Sequence, residues 1–519
     1  MIEPMTNHRF RWWAAALLAA AGIARPALAQ DGLGAARAHR EADAPGILRR
    51  YAEFLSLPNV ARDSTGIASN AAYLRERLTA LGVRAELLRV PGAPPVVFGR
   101  LDVPGATRTL ALYAHYDGQP ANPDEWLQPP WTPTLYSGPH WSGGTPRPLP
   151  ADGEPVDPEW RLYARSAGDD KVSIGALLEV LAALRAGSVR PTSNLVFFFE
   201  GEEEAGSPHL RQVLETYRDR LHDVDLWLFL DGPVHTTGRP MLAFGVRGTG
   251  RVEVTVYGPN RGLHSGHYGN WAPVPGRLLA QLLATMWDAD GTVLIEGFYD
   301  DVAPLGADER AALARLPDTD ADLKRELGLA RTEGEPASLA DRLLLPALSV
   351  LGLASANVGP LASNVLPETA TATLGLRFVK GNDPARMLEL VEAHIRRQGY
   401  HVVREVPDST TRLAHPLIAR VTSGRSYPAA RTAMDHPIVR QVIGAATRVS
   451  GDELVLLPGM GGSLPLYLFT DLLAKPALIV PVANHDNNQH APNENLRVAN
   501  FWYAIDLYGA VLTMPSPMP

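Results

Sequence analysis

Residues 194–207, NLVFFFEGEEEAGS, decide how this chain folds. The apolar run Leu195–Phe199 is too short for a buried helix and lacks the alternation of a half-wet strand, so it reads as a strand covered on both faces. It stops at Glu200 and opens into Gly201 and three successive carboxylates, Glu202, Glu203 and Glu204. Working outward, Thr109–Ala114 (TLALYA), Val224–Leu230 (VDLWLFL) and Ala477–Val482 (ALIVPV) repeat the compact apolar style, and Ser173–Ala186 and Ser207–Tyr217 carry helical periodicity between them. Strand, helix, strand, helix, strand predicts an α/β unit with a mixed, mostly parallel sheet flanked by helices.

After about residue 240 the pattern changes. Arg251–Val256 and Ala370–Phe378 alternate polar and apolar residues, as strands with one wet face do, and they flank a charged helical stretch, Asp308–Leu345. The compact style returns with the helix His436–Val449 and a closing helix Asn500–Leu512. The simplest division is an α/β domain at 30–240 and 429–519, interrupted by an inserted α+β domain at 241–428. Residues Ala121–Pro158, rich in Pro, Gly and Trp, form a long loop of the kind that is usually functional.

The chain has no cysteine, which excludes disulfides, thiolate ligands and a cysteine nucleophile, so any metal must use His, Asp and Glu. A formal charge of −8 gives no reason to expect nucleic acid or an anionic membrane as partner and favours a cationic or zwitterionic small substrate. At the N-terminus Arg9 and Arg11 precede an apolar stretch, Trp12–Ile23, and Ala27-Leu28-Ala29 offers a small-x-small cleavage pattern. Residues 1–29 are therefore expected to be a signal peptide cut after Ala29, leaving a periplasmic or secreted protein without a membrane span.

Acids and histidines cluster where the apolar runs end. His115 and Asp117 share one face of an extended segment, so the imidazole can bind a metal while the carboxylate holds its other nitrogen. Asp169-Asp170-Lys171 precedes a helix and suits either a ligand or a helix start. Glu202–Glu204 repel one another unless a cation, or simply solvent, relieves them. Asp231 closes LFLDGP and His490 lies in NNQHAPNEN, positions equally open to ordinary turns. Their joint placement at strand ends points to divalent cations held by imidazole and carboxylate.

The motifs His115-x-Asp117, Ala167-Gly-Asp-Asp-Lys171, Glu200-Gly-Glu-Glu-Glu204-Ala-Gly-Ser207, Asp231, Leu263-His-Ser-Gly266, Gly461-Gly-Ser463 and His490 together resemble the M20 metallopeptidases. That group includes carnosinase-like dipeptidases, glutamate carboxypeptidases and N-acyl-amino-acid deacylases. The resemblance implies a hydrolase with two divalent ions, zinc first with manganese and cobalt as alternatives, and an inserted lid domain that makes a homodimer. It implies His115 and Asp231 on one metal, Glu204 and His490 on the other, Asp169 as the bridge, and Asp117 orienting His115. Glu203 is then the general base for a bridging water, and a cis peptide joins Asp169 to Asp170. It further implies that His264 reaches the partner's site and that Asn364, Arg377 and Ser463 bind substrate, Arg377 through a terminal carboxylate. Val172 departs from the family's usual glycine, and the residues before Asp169 differ from the common pattern. The expected activity is exopeptidase cleavage of dipeptides or short peptides. The alternatives are an N-acyl-amino-acid amidohydrolase and a catalytically silent peptide-binding relative; a serine hydrolase lacks its Gly-x-Ser-x-Gly elbow.

Overall fold

The computed structural model describes residues 31–515; the expected leader and its cleavage point lie outside them. The first described helix, Gly32–Leu55, is capped by the Asp31 side chain. Eight strands form the main sheet: β1 (Arg84–Leu88), β2 (Val96–Leu101), β3 (Thr109–His115), β4 (Asn194–Glu200), β5 (Leu226–Phe229), β6 (Met241–Ala243), β7 (Val455–Leu457) and β8 (Ala477–Ile479). Their spatial order is β1-β2-β4-β3-β5-β8-β6-β7. The central members β4, β3, β5 and β8 run parallel, while β1, β2 and the β8–β6 contact are antiparallel. Every residue of β3 is buried, which explains why the central strands read as unbroken apolar runs.

Helices Gly32–Leu55, Lys171–Ala186, Pro437–Ser450 and Val498–Leu512 cover one face of this sheet, and the segment around Leu210–Thr216 and Phe469 covers the other. The first and last helices meet at Gly32 and Gly509: a Cβ on Gly32 would lie 2.4 Å from the Gly509 carbonyl oxygen, so only glycine permits this approach. Lys171, fully buried, donates Nζ to the carbonyls of Phe54 (2.9 Å) and Leu57 (2.8 Å) at the end of the first helix. This lysine ties two helices together.

The inserted domain is a five-stranded sheet in the order 347–354, 369–378, 248–257, 418–423, 401–403. Residues alternate in burial along Thr369–Phe378, and the buried side packs on helices Pro275–Ala284 and Pro384–Arg397. Two sequence readings need correction. Met241–Ala243, assigned to the insertion, pairs with β7 and β8 in the main sheet, so the chain leaves that sheet only after Ala243. The charged stretch 308–345 breaks into Ala307–Leu313, Asp320–Glu326 and Leu339–Leu343, because Pro317, Gly328, Gly334 and Pro336 interrupt it. Among the described residues no helix is long and apolar enough to cross a membrane.

Candidate active site

The register of the parallel strands sets His115 beside Glu200, so the carboxyl ends of β3 and β4 finish together. His115 Nδ1 lies 3.2 Å from the Asp117 carbonyl oxygen and 3.5 Å from its Oδ1. The Asp117 carboxylate also accepts the backbone N–H groups of Glu203 and Glu204, both at 3.1 Å. One buried acid thus fixes an imidazole and the start of the acidic turn. With Nδ1 turned to Asp117, His115 Nε2 faces Asp169 Oδ1 at 2.9 Å and Asp231 Oδ2 at 4.0 Å.

Asp169 reaches in two directions. Its Oδ2 lies 3.0 Å from His490 Nε2, which is itself 3.2 Å from Glu204 Oε2. His490 arrives from the far end of the chain on a loop where Asn488, His490 and Asn493 all adopt positive φ, a conformation that costs energy without glycine and persists only when surroundings enforce it. Gln119 Nε2 donates to Glu204 Oε2 at 2.8 Å. The Asp169–Asp170 peptide is cis, as the resemblance implies.

The ligand-type atoms fall into two groups, His115–Asp170–Asp231 and Asp169–Glu204–His490, the members of each within 4.8 Å of one another. Asp170 competes with Asp169 for the first group. Asp169 is the better bridge, because its two oxygens face the two imidazoles, whereas Asp170 Oδ2 accepts the His115 backbone N–H at 3.2 Å.

The donor set is short of positive charge. Burial pushes Asp231 up to about 7, helped by Asp169, and Glu200 up to about 8. Burial likewise raises Asp170 and Glu203 well above the usual carboxylate range. Asp169 and Glu204 push His490 up to about 10. His115 is raised against the cost of its burial by Asp117 and Asp169. Carboxylates gathered and buried in this way are what a divalent cation relieves, and among the described residues Asp170 Oδ1 is buried without a hydrogen-bond partner. The residues present fit two such ions.

A carboxylate that sequence reasoning missed holds the bridge in place. Glu494, 1% exposed, accepts four hydrogen bonds at 2.9 Å, from Arg165 Nη1 and from the backbone N–H groups of Ser166, Gly168 and Asp169. Val172, the departure from the family pattern, sits fully buried in the first turn of helix Lys171–Ala186.

The remaining expected site residues divide into two pairs. His264 and Asn364 lie side by side, with Ser265 N donating to the Asn364 carbonyl at 2.8 Å, and both are exposed rather than gathered with the histidine–carboxylate cluster. Arg377 Nη1 donates to Ser463 Oγ at 2.8 Å, joining the lid to the catalytic domain. A cavity of about 580 Å³ lies among Val293, Leu323, Leu343 and Leu348 of the insertion, away from the histidines, whereas the titratable groups converge at the ends of β3 and β4.

The model of Peptidase family M20/M25/M40 matches residues 111–514. The Cys-Gly metallodipeptidase dug1 of Schizosaccharomyces pombe is 26% identical over 479 residues, covering 88% of this chain and 93% of its own. The Beta-Ala-His dipeptidase of Homo sapiens is 26% identical over 431 residues, covering 80% and 76%. The M20 family metallo-carboxypeptidase Sso-CP2 from Sulfolobus solfataricus superposes with a TM-score of 0.70 at 27% identity, covering 90% of this chain and 98% of that one.

Proposed function

The chain belongs to peptidase family M20/M25/M40, and from that premise we propose that it is a two-metal exopeptidase cleaving dipeptides or short peptides with a free C-terminal carboxylate. The observation that carries this reading is the Asp169 carboxylate, which presents one oxygen to each of two imidazoles. His115 and Asp231 would hold one ion, Glu204 and His490 the other, and Asp169 both. Zinc suits this imidazole–carboxylate set, with manganese and cobalt as alternatives. Two such ions, when bound, lower the pKa of water and polarise the scissile carbonyl.

The protein's own groups do the rest. Glu203, in the turn anchored by Asp117, takes a proton from the attacking water and returns it to the leaving amine. Asp117 fixes the His115 ring so that Nε2 faces the cluster. Arg377 and Ser463, 2.8 Å apart, bind the substrate's terminal carboxylate.

His264 and Asn364, exposed on their own subunit, serve the active site of a partner in a homodimer built through the lid. Support comes from the edge strand Ala347–Ala354, which leaves Val350, Leu351 and Leu353 exposed, with Val358 and Leu361 beyond it. Export to the periplasm or medium rests on the N-terminal pattern of Arg9, Arg11 and Ala27–Ala29.

The test is a panel of dipeptides and N-acyl amino acids assayed with enzyme loaded in turn with zinc, manganese and cobalt. Cleavage of dipeptides with free carboxylates is expected. Turnover of the N-acyl amino acids alone would replace the peptidase reading with a deacylase.

A further inference from the structure

The lid sheet buries one face against its two long helices and leaves the other open. On the open face Arg251, Arg377 and Arg425 line a cleft of about 350 Å³ together with Gly250, Ser349 and Gly375, and Leu351 lies over Gly375 at its side. Strand register puts them there. Thr249 pairs with Arg377 and Arg251 with Gly375, so the two arginines are diagonal neighbours roughly 7–8 Å apart, within reach of a shared ligand. Segment 424–427 is tied alongside by Gly424 N to Arg251 O (3.0 Å) and Tyr427 N to Thr249 O (3.0 Å), which carries Arg425 to the same cleft.

No carboxylate lines this cleft. Among the described residues none of the three guanidiniums is ion-paired: Arg377 donates to Ser463, and Glu253, the next acid along the face, is taken by Arg420 at 3.5 Å. Beside them Arg247 is only 9% exposed. It donates Nη2 to the Leu345 carbonyl at 2.7 Å and leaves Nε buried without a partner. Burial and the nearby Arg377 push its pKa down to about 10. Among the described residues three guanidiniums thus line one cleft without a counterion, with Arg247 near Arg377, in a chain whose formal charge is −8. A cleft lined in this way suits an anion with more than one negative group.

We infer that Arg251 and Arg425 form a second carboxylate site next to the Arg377–Ser463 pair, selecting peptides whose C-terminal residue is aspartate or glutamate. This rests on the reading that Arg377 and Ser463 hold the terminal carboxylate. It replaces the cationic or zwitterionic substrate favoured by net charge, since local charge at the site and not the molecular total sets recognition. Two carboxylates on one residue are a few bonds apart, a separation that two diagonal arginines can span.

Metal-loaded full-length enzyme assayed on Ala-Glu and Ala-Gln, which differ only in that charge, provides the test. A charge-assisted contact predicts a kcat/KM ratio favouring Ala-Glu by about ten- to one-hundredfold, carried in KM and shrinking as salt rises. In Arg251→Gln/Arg425→Gln, or in the single Arg425→Gln, the ratio falls toward one, and Arg251→Lys/Arg425→Lys restores part of it. Equal treatment of the two peptides by the wild type, or an unchanged ratio in the glutamine variants, overturns the site while leaving the peptidase reading standing. Failure to cleave any dipeptide overturns both.

Discussion

Glu494→Gln is the perturbation whose consequence the structure specifies most closely. Glu494 Oε1 accepts from Gly168 N and Asp169 N, and Oε2 from Arg165 Nη1 and Ser166 N, all at 2.9 Å. A carboxamide keeps the shape but turns one of those oxygens into an NH2 group, which then opposes two donors. Either orientation loses two hydrogen bonds to a charged acceptor, each worth about 1.5–3 kcal/mol, so the cost is about 3–6 kcal/mol before relaxation. Arg165, its side chain 3% exposed, also loses its carboxylate. The loss falls on the turn that carries Asp169, the residue facing both imidazoles. Metal affinity should therefore drop by about 10–100-fold, the usual effect of removing a group that supports a ligand, and Tm should fall with it. Chelator competition against a fluorescent metal indicator reads the first, and calorimetry of the metal-loaded protein the second. A Glu494→Gln variant with wild-type metal affinity would refute the clamp.

Glu203→Gln should retain about two ions per chain by elemental analysis while lowering turnover by about 10²–10⁴-fold, because it removes the proton carrier and spares the ligands; wild-type turnover would reject the assignment. His264→Ala should lower the rate without loss of metal, and mixing it with Glu203→Gln should give more activity than the sum of the two if the histidine acts across a dimer; strictly additive mixtures would reject the trans arrangement. The ion-free protein should become less stable as pH rises. Asp231 rises from its ordinary 3.8 to about 7, Glu200 from 4.5 to about 8 and His490 from 6.5 to about 10, so at these groups the folded state binds more protons than the unfolded one throughout that range. Metal uptake at neutral pH should then release protons, measured by calorimetry in buffers of different ionisation enthalpy; uptake without proton release would contradict the ligand set.

The candidate metal cluster was legible because each candidate stands at the end of an apolar run or in the loop beside one. His115 closes β3, the acidic turn follows β4, and Asp231 comes two residues after β5. The period of the sequence and the chemistry of the site therefore shared a boundary. Glu494 had no such frame. It lies in the polar stretch NNQHAPNENLR, and its four donors sit 325 to 329 residues earlier. The arginine cleft was hidden for another reason. Arg251 and Arg377 meet only through the register of two strands that are more than a hundred residues apart, and Arg425 joins them through a connecting segment without regular structure. Met241–Ala243 was misassigned because three residues are too few to show a period, and partners on both sides supply the order that the segment lacks.

The way the lid is attached separates the candidate metal ligands from the residues proposed to read the substrate. The chain leaves the main sheet after Ala243 and returns through Ala430–Arg431, which pairs with Gly245–Val246, so entry and exit lie next to each other. The strands β3, β4, β5 and β8, whose ends position the cluster, belong to the main sheet, into whose core the insertion also packs Ala312. The polar ties further out are exposed pairs, Lys380 with Asp471 at 3.4 Å and Arg440 with Asp308 at 2.8 Å, and contacts of that kind contribute roughly 0–1 kcal/mol each. Arg377–Ser463 is different, since both partners are proposed to contact the substrate's carboxylate. A peptide that gathers Arg377, Ser463 and the neighbouring arginines around its C-terminus would add to the Arg377–Ser463 tie, beside which Arg247 N–H donates to the Gly462 carbonyl at 3.1 Å. Binding energy from the non-reacting end of the peptide would then hold the two parts in one arrangement, which is how recognition remote from the scissile bond is converted into rate.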